Sequence, residues 1–228
     1  PILAHILKAA QALGPAAIGL VVGHGADTVI DTVKANLADW GITAPVVFAR
    51  QTDLSGSGSA VKAALPLLQK FETVMVINGD TPLLKSQTLD KMAKVFDANE
   101  AGALVLGVTV PNPAGYGRIV RAADGTFEAI VEDADADEET KKIAEINSGM
   151  YVFDSKSLQT ALTQLLPQGP KHEYYLTDTL ALIKQMNQPV VVFASQDYEQ
   201  ALGVNSKVQL AEAEEAMRAR VVRELMDE

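Results

Sequence analysis

A single apolar run that ends in a carboxylate constrains the fold of this chain more than any other stretch. Residues 74–77 read Val-Met-Val-Ile, and Asn78-Gly79-Asp80 follows at once. Four apolar residues without a polar one favour a strand buried on both faces. Gly79 allows a sharp exit, so Asp80 is expected at the carboxyl end of the strand, where open α/β sheets bind ligands. Its carboxylate suits a divalent cation such as Mg²⁺, although a turn or a helix cap uses the same residue type.

Helix and strand patterns alternate through the first hundred residues. Apolar residues at helical spacing predict helices, and short apolar runs predict strands; Asp27 is the expected cap of the second helix. The predicted order is helix 1–13, strand 17–22, helix 28–37, strand 45–49, helix 61–68, strand 73–78 and helix 86–96. Alternation of this kind predicts a parallel sheet with right-handed crossovers.

The second half of the chain has a different pattern. Residues 123–125, Ala-Asp-Gly, are a hairpin signal, and the acidic residues 132–139 predict a solvated helix start. The other predicted elements are strand 103–110, the paired strands 116–120 and 127–131, strand 147–153, helices 155–166 and 177–187, strand 189–194 and a polar helix 206–225. With no repeat and no linker, the simplest interpretation is one mixed α/β domain over residues 1–228 with an antiparallel insertion.

Composition excludes several classes of function. The formal net charge of -10 argues against a nucleic-acid partner, which needs a basic face. No run of 18 apolar residues occurs, so no transmembrane helix and no membrane partner are expected, and we expect no signal peptide from the residues after Pro1. Cysteine is absent, which excludes disulfides and a thiolate nucleophile. The histidines show no metal-ligand spacing and no Gly-x-Ser-x-Gly elbow is present, so covalent catalysis has no obvious candidate.

A glycine- and serine-rich stretch lies between a predicted strand and a predicted helix. Residues 56–59, Gly-Ser-Gly-Ser, present backbone N–H groups that can face an anion or a flat base, although a flexible connection explains the same composition. It is not a Walker loop, because no Gly-Lys-Ser/Thr follows. The Gln51 amide just upstream can pair with the edge of a base, or it is an ordinary surface residue.

Other polar residues sit at the ends of predicted elements. Gly117, in Gly-Tyr-Gly-Arg, indicates either a close backbone approach to a ligand or a bulge. Glu132 ends a strand and can accept hydrogen bonds from hydroxyls, or it belongs to the solvated acidic run. Thr177 and Asn205 precede helices and fit the role of helix caps, but Asn205 could also give Asp80 a partner oxygen for a metal.

The motifs follow one another in a specific order. They are Gln51 with Gly56-Ser57-Gly58, then residues 78–83, 115–119, 130–132, 145–149, 173–178 and 203–205. This order resembles the uridylyltransferase domain of the bacterial bifunctional N-acetylglucosamine-1-phosphate uridylyltransferase/glucosamine-1-phosphate acetyltransferase, from the first residue to the last helix. The resemblance implies a Rossmann-like nucleotidyltransferase (nucleotide-diphospho-sugar transferase) fold, with a mixed, mostly parallel sheet flanked by helices.

The resemblance also implies a reaction and a set of site residues. UTP and N-acetylglucosamine 1-phosphate would give UDP-N-acetylglucosamine and pyrophosphate, by in-line attack of the sugar phosphate on the α-phosphorus. Such a step needs positioning and charge neutralisation rather than a protein nucleophile. The implied residues are Gln51, Gly56 and Ser57 for uracil, Asp80 and Asn205 for a catalytic Mg²⁺, Asn78 and Gly79 for substrate, Gly117, Glu132, Asn147 and Tyr175 for the amino sugar, and Thr177 for its phosphate.

Ser57 stands where the family usually has threonine, which keeps the hydroxyl. The resemblance further implies a cytoplasmic enzyme of cell-wall precursor synthesis, for peptidoglycan and lipopolysaccharide, and leaves open whether the parent protein is an oligomer.

Two family features are not in this sequence. The family begins with a strand and a Leu-Ala-Ala-Gly-x-Gly-Thr-Arg-Met loop, followed by a lysine shortly before the segment that matches Pro1. These residues grip the triphosphate, so we expect poor turnover if the protein truly lacks them and a working enzyme if the parent protein has them. No hexapeptide repeat is present either, so the acetyl transfer and its β-helix are not expected of this chain.

Two alternatives remain open from the sequence. One is a nucleotidyltransferase for another sugar 1-phosphate, such as glucose 1-phosphate. The other is a non-catalytic module that binds sugar nucleotides, which the missing glycine-rich loop motivates.

Overall fold

The computed structural model describes residues 1–168 and 172–227. Its first half contains α1 (Ile2–Gln11), β1 (Ile18–Val22), α2 (Ala26–Asn36), β2 (Val46–Arg50), α3 (Ser57–Ala63), α4 (Leu65–Leu68), β3 (Thr73–Val76), α5 (Ser86–Ala98) and β4 (Ala103–Thr109). The second half contains β5 (Arg118–Arg121), β6 (Phe127–Val131), β7 (Glu145–Asp154), α6 (Ser155–Gln164), α7 (Asp178–Gln185), β8 (Val190–Ser195) and α8 (Lys207–Asp227). Short 3₁₀ helices span Thr140–Lys142 and Tyr198–Ala201.

Strand β7 holds the larger sheet together. Its carboxyl-terminal half lies between β3 and β4, and its amino-terminal half lies between β4 and β5. Because β3 and β4 are both antiparallel to β7, they run in the same direction, as does β8, which pairs with β4 in parallel. Strands β1 and β2 form a separate parallel pair. This arrangement confirms a mixed α/β fold, in which antiparallel pairing extends beyond the β5–β6 hairpin to the central strand β7.

The core has one layer on each face of this sheet, because successive side chains along a strand point to opposite faces. On β4, Ala103 and Val105 join the cluster that packs against α6 and α7, whereas Leu104 and Leu106 join the cluster that packs against α5. All four side chains are fully buried. Helices therefore cover both faces of the central strands and leave the strand ends open. No described helix is long and apolar enough to cross a membrane.

The structure corrects the prediction for the central strand. Strand β3 ends at Val76, and the side chains of residues 74–77 are only half-buried, so a strand buried on both faces is wrong. Within the described part of the chain β3 pairs with β7 alone, which leaves its other edge open to solvent. For the same reason β1, predicted as a buried strand, alternates between half-buried and exposed residues up to Val22, its one buried residue, because its described pairing is with β2 alone.

Three predicted helix boundaries are also wrong. Helix α2 starts at Ala26 with Gly25 as its cap, and Asp27 instead pairs with Arg50. The helix predicted over 61–68 begins at Ser57 and breaks at Ala64, where Pro66 opens α4. Proline has no backbone N–H and is tolerated only in the first turn of a helix, which explains the break. The acidic residues 132–139 form no helix, and the short 3₁₀ helix Thr140–Lys142 follows them.

Candidate functional site

Two segments that are far apart in sequence meet at Gly203. The Val204 N–H donates to the backbone oxygen of Asp80 at 2.9 Å. A Cβ on Gly203 would lie 3.0 Å from Asp80 Oδ2 and 3.4 Å from Asn205 Nδ2. The Asp80 carboxylate and the Asn205 side-chain amide therefore face the same small space. Flipping the Asn205 amide, which exchanges its nitrogen and oxygen, would put Oδ1 where Nδ2 lies.

The structure bears out the turn alternative for Asp80, whereas the helix-cap alternative fails for both residues. Asp80 lies in a turn and caps no helix, since α5 starts six residues later at Ser86. The cap of α8 is Ser206, whose hydroxyl accepts from the Gln209 N–H at 3.2 Å. The Asn205 side chain is thus not used as a cap, and it is exposed.

The donor set at this point fits a magnesium ion. Mg²⁺ prefers oxygen ligands and is often bound through one or two carboxylates, with substrate phosphates and waters completing its coordination. Asp80 supplies one carboxylate and Asn205 one carbonyl oxygen. Among the described residues no group of three or more His, Cys, Asp or Glu side chains comes together, so a metal bound at a larger acidic cluster is not indicated there.

Asn78 packs against a bulge in β7. Its amide donates to the Ser148 carbonyl at 3.1 Å. The register of β7 against β4 shifts between Val105 and Gly107, and Gly149 in the shifted segment has φ +76°. A Cβ on Gly149 would lie only 2.4 Å from Asn78 Nδ2, so glycine is required both by the backbone conformation and by the close approach. Gly79 is exposed in the turn that follows.

The glycine- and serine-rich stretch is the start of a helix and not a flexible connection. Gly56 caps α3 with φ +101°, and a Cβ there would lie 2.6 Å from the Tyr174 carbonyl oxygen. The Gln51 amide nitrogen donates to Ser59 Oγ at 2.6 Å and to the Gly56 carbonyl at 3.2 Å. Its amide oxygen accepts no hydrogen bond from the described residues, so this atom is available to a ligand.

Residues 173–177 run alongside this helix start. The Tyr174 N–H donates to the Ser55 carbonyl at 2.7 Å, and the Gly58 N–H donates to the Tyr174 carbonyl at 2.7 Å. The Ser57 hydroxyl accepts from the Leu176 N–H at 3.1 Å. The Gly58 N–H is thus used within the protein and does not face an anion.

Glu132 and Thr177 form a hydrogen-bonded pair. Thr177 is the cap residue of α7, but its hydroxyl makes no capping bond and donates to Glu132 Oε1 at 3.0 Å. A Cβ on Gly117 would lie 3.2 Å from Glu132 Oε2, so a larger residue at Gly117 would press on this carboxylate. Burial raises the pKa of Glu132; the Thr177 hydrogen bond opposes this shift, and the charges of Asp178 and Asp135 add to it.

Both ends of the Asn147 amide are engaged. Asn147 Nδ2 donates to the Tyr151 hydroxyl at 2.8 Å, and Oδ1 accepts from the Gly149 N–H at 3.0 Å. Its backbone N–H donates to the Gly117 carbonyl at 2.8 Å. Burial, together with the charge of Glu132, raises the pKa of Tyr151, so this hydroxyl stays neutral and the amide stays oriented.

The contacts join the predicted residues into one continuous site. Gln51, Gly56 and Ser57 contact residues 174–176, and the next residue, Thr177, reaches Glu132. Burial and the charges of Glu173, Glu132 and Asp135 raise the pKa of Tyr175, so it shares the same acidic surroundings. The links continue through Gly117, Asn147 and Gly149 to Asn78, and from there through Gly79 to Asp80 and Asn205.

Four residues of the site were not predicted, namely Ser59, Gly149, Tyr151 and Gly203. Each acts through a contact with a predicted residue. Gly203 lies two residues before Asn205, and Tyr151 lies four residues after Asn147 on the same predicted strand, so spacing carried a weak signal for both. Ser59, Gly149 and Gly203 all lie within stretches singled out in the sequence, but their partners are set by tertiary contacts.

This combination of fold and strand-end polar site is that of a nucleotidyl transferase. The chain belongs to the nucleotidyl transferase family, whose model matches residues 1–204. The named relatives are called bifunctional protein GlmU. The protein of Lactococcus lactis subsp. cremoris (strain SK11) is 40% identical over 225 residues, which cover 98% of this chain and 47% of the relative. The protein of Heliobacterium modesticaldum is 41% identical over 228 residues, covering 100% and 48%.

The chain therefore spans about half the length of the curated relatives it matches, and these matches confirm the family resemblance. Solved structures confirm the fold. A UDP-glucose pyrophosphorylase complexed with UDP-glucose gives a TM-score of 0.74 at 18% identity, covering 96% of this chain and 87% of that one. HddC from Yersinia pseudotuberculosis gives a TM-score of 0.64 at 21% identity, covering 95% and 85%.

The contact between Gly149 and Asn78 predicts a difference between two glycine substitutions. Gly125→Ala introduces only backbone strain, because Gly125 has φ +83° and a Cβ there would have no atom within 4 Å. This variant should lower the free energy of unfolding by about 1 kcal/mol. Gly149→Ala adds a collision with Asn78 and should cost at least about 2 kcal/mol. Urea unfolding of the two variants measures the difference, and equal costs would contradict the close packing.

The Glu132–Thr177 pair predicts a pKa change. Thr177→Val removes the hydrogen bond that favours the carboxylate, so the Glu132 pKa should rise further above that of an exposed glutamate. The folded chain then binds the proton more tightly than the unfolded chain, so this group lowers stability as pH rises from the ordinary glutamate pKa through the raised value. Carbon-13 NMR titration of the Glu132 carboxyl measures the shift.

The control is Thr160→Val, because the Thr160 hydroxyl bonds only to its own helix, at Lys156. This variant should leave the Glu132 titration where it is in the parent chain. A Glu132 pKa that stays constant or falls in Thr177→Val would show that the hydrogen bond does not act on the carboxylate.

Proposed function

We propose that this chain transfers a uridylyl group from UTP to N-acetylglucosamine 1-phosphate, giving UDP-N-acetylglucosamine and pyrophosphate. The observation that carries the proposal is the convergence of Asp80 and Asn205 at Gly203, on a chain whose GlmU relatives match it over nearly its whole length. We further propose that residues 1–228 are one nucleotidyltransferase domain and that it works in the cytoplasm.

Gln51, Gly56 and Ser57 are assigned to uracil. The Gln51 amide nitrogen is already used by Ser59 and Gly56, so the amide oxygen is the atom left for a base. Uracil carries an N–H at position 3, where cytosine carries an acceptor. An acceptor fixed at this place therefore favours uracil over cytosine, and the Ser59 hydrogen bond is what fixes it.

Glu132, Asn147, Gly117, Tyr175 and Thr177 are assigned to the sugar phosphate. Thr177 occupies one oxygen of Glu132 and leaves Oε2 to accept from a sugar hydroxyl. The Asn147 amide is fixed by Tyr151 and the Gly149 N–H, and each of its two polar atoms keeps a further hydrogen-bonding capacity. Fixed polar groups of this kind discriminate between sugars, because a sugar without the matching group leaves them unpaired.

Asp80 and Asn205 are assigned to a magnesium ion, with Asn78 and Gly79 shaping the adjoining turn. The metal would neutralise charge on the phosphates of both substrates. An oxygen of the sugar phosphate forms the new bond to the α-phosphorus of UTP, and the bond from that phosphorus to the pyrophosphate breaks. The chain's own contribution is to hold the base and the sugar on either side of this point, since the step needs no protein nucleophile.

A turnover assay tests the proposal. The chain is incubated with UTP, Mg²⁺ and either N-acetylglucosamine 1-phosphate or glucose 1-phosphate, and the UDP-sugar and pyrophosphate are quantified. We expect the N-acetylated sugar to be preferred. Asp80→Asn should lower turnover on the order of 100-fold or more, because it removes the only carboxylate assigned to the metal, while thermal unfolding stays unchanged.

The matched control is Asp97→Asn, an exposed aspartate on α5, which should leave turnover unchanged. Preference for glucose 1-phosphate would favour the transferase for another sugar. Binding of UDP-N-acetylglucosamine without any turnover would favour the non-catalytic module. Unchanged turnover in Asp80→Asn would remove this residue from the mechanism.

A further inference from the structure

A cavity begins beside the turn that carries Asp80, at Pro82 and Leu84, and extends between α1, α5 and α8. It is an open cleft with a volume of about 810 Å³, lined by α1, the segment that starts α5, the end of β8 and the last half of α8. None of the residues assigned to UTP, sugar or metal lines it. Ligand sites for small molecules have volumes of roughly 300–1,000 Å³, so the cavity is large enough for one.

The lining of this cavity is positively charged in a chain of net charge -10. Four cationic side chains meet there from three helices and a loop, and two acidic side chains oppose them. The cations are Lys8, Lys85, Lys91 and Arg220, and the acids are Asp197 and Glu224. The excess of positive charge is local, so it reflects the walls of the cavity and not the composition of the protein.

One of these cations is compensated. Lys85 Nζ lies 2.6 Å from Asp197 Oδ2, and the Lys85 N–H donates to Gln200 Oε1 at 3.1 Å. Burial alone would raise the pKa of Asp197, but the hydrogen bond and charge of Lys85, with Gln200 and Arg220, lower it overall. Asp197 therefore stays charged and holds Lys85 in place.

The other three cations have no such partner in the described part of the chain; Lys8 and Lys91 are exposed to water on their helices, whereas Arg220 is half-buried. No acidic oxygen there lies within 4.0 Å of Lys8, Lys91 or Arg220. Arg220 Nη2 is a buried atom without any hydrogen-bond partner. A buried polar group is normally satisfied, and an unsatisfied one on a charged group is especially unfavourable. This guanidinium therefore indicates a missing anion.

The remaining walls indicate the rest of the ligand. Leu84, Phe193 and Met217 line the cavity together with the cations. Three separate donors suit a group with two negative charges and three acceptor oxygens better than a single carboxylate, which carries one charge. We propose that this cavity binds a small organic phosphate, whose phosphate group contacts Lys8, Lys91 and Arg220 and whose apolar part contacts Phe193 and Met217.

Phenyl phosphate is a suitable probe, because it joins a phosphate dianion to an apolar ring. Calorimetry of the whole chain should show saturable binding, and NMR shifts should concentrate at residues 82–88 and 193–197. Benzoate, with one charge, should bind at least about tenfold more weakly. Binding should persist when UDP-N-acetylglucosamine is present in excess, since the two ligands occupy different places.

Two pairs of variants test the assignment. Lys91→Gln and Arg220→Gln should each weaken phenyl phosphate binding about tenfold, because each removes a charged hydrogen-bond donor. Lys94→Gln and Arg218→Gln remove the same charge from the same two helices, but these residues pair with Asp90 and Glu214 and do not line the cavity. The two controls should bind as the parent chain does.

Three results would overturn the proposal. They are no saturable binding of phenyl phosphate, equal weakening in the cavity variants and their controls, and displacement of phenyl phosphate by UDP-N-acetylglucosamine. Benzoate binding as tightly as phenyl phosphate would overturn the assignment to a phosphate. Thermal unfolding of all four variants identifies any that fail to fold. If one of the two cavity variants does not fold, the other still tests the assignment.

Discussion

The position of strand β7 is the constraint on which the rest of the structure depends. It pairs with β3, β4 and β5, so both the parallel strands and the hairpin are attached to it. Its bulge at Gly149 brings the strand against Asn78, and its buried Tyr151 fixes the Asn147 amide. The same strand therefore sets the distance between the turn that carries Asp80 and the side chains assigned to the sugar. A change in its register would separate the two halves of the site.

The charges of the site follow from the chemistry proposed for it. Phosphates that react on an acidic protein need positive charge where they react, and in the proposed mechanism a cation held by Asp80 and Asn205 supplies it. Glu132, which is assigned to the sugar, is half-buried and held by Thr177, and its other carboxylate oxygen is left to accept from a sugar hydroxyl. The basic cavity beside α8 is a separate region of opposite character, and it shows that the negative net charge is unevenly distributed.

Much of the fold and of the candidate site could be predicted from the sequence. Most helices and strands followed from apolar spacing, and the order of short motifs indicated the family. The burial of β3 and β1 could not be read, because it depends on which strands lie beside them and not on their own residues. The same holds for Asp27, which pairs with Arg50 rather than capping α2. Ser59 and Gly149 were missed because their importance comes from partners that only the folded chain brings near.

The most direct test of the central claim is a calorimetric titration of this chain with UDP-N-acetylglucosamine, with and without Mg²⁺, using UDP-glucose as the comparison. The site predicts saturable binding that is tighter for the N-acetylated sugar. It also predicts that Gln51→Ala weakens both UDP-sugars while leaving N-acetylglucosamine 1-phosphate unaffected. Equal affinity for the two UDP-sugars would contradict the sugar assignment, and no binding by folded chain would contradict the site as a whole.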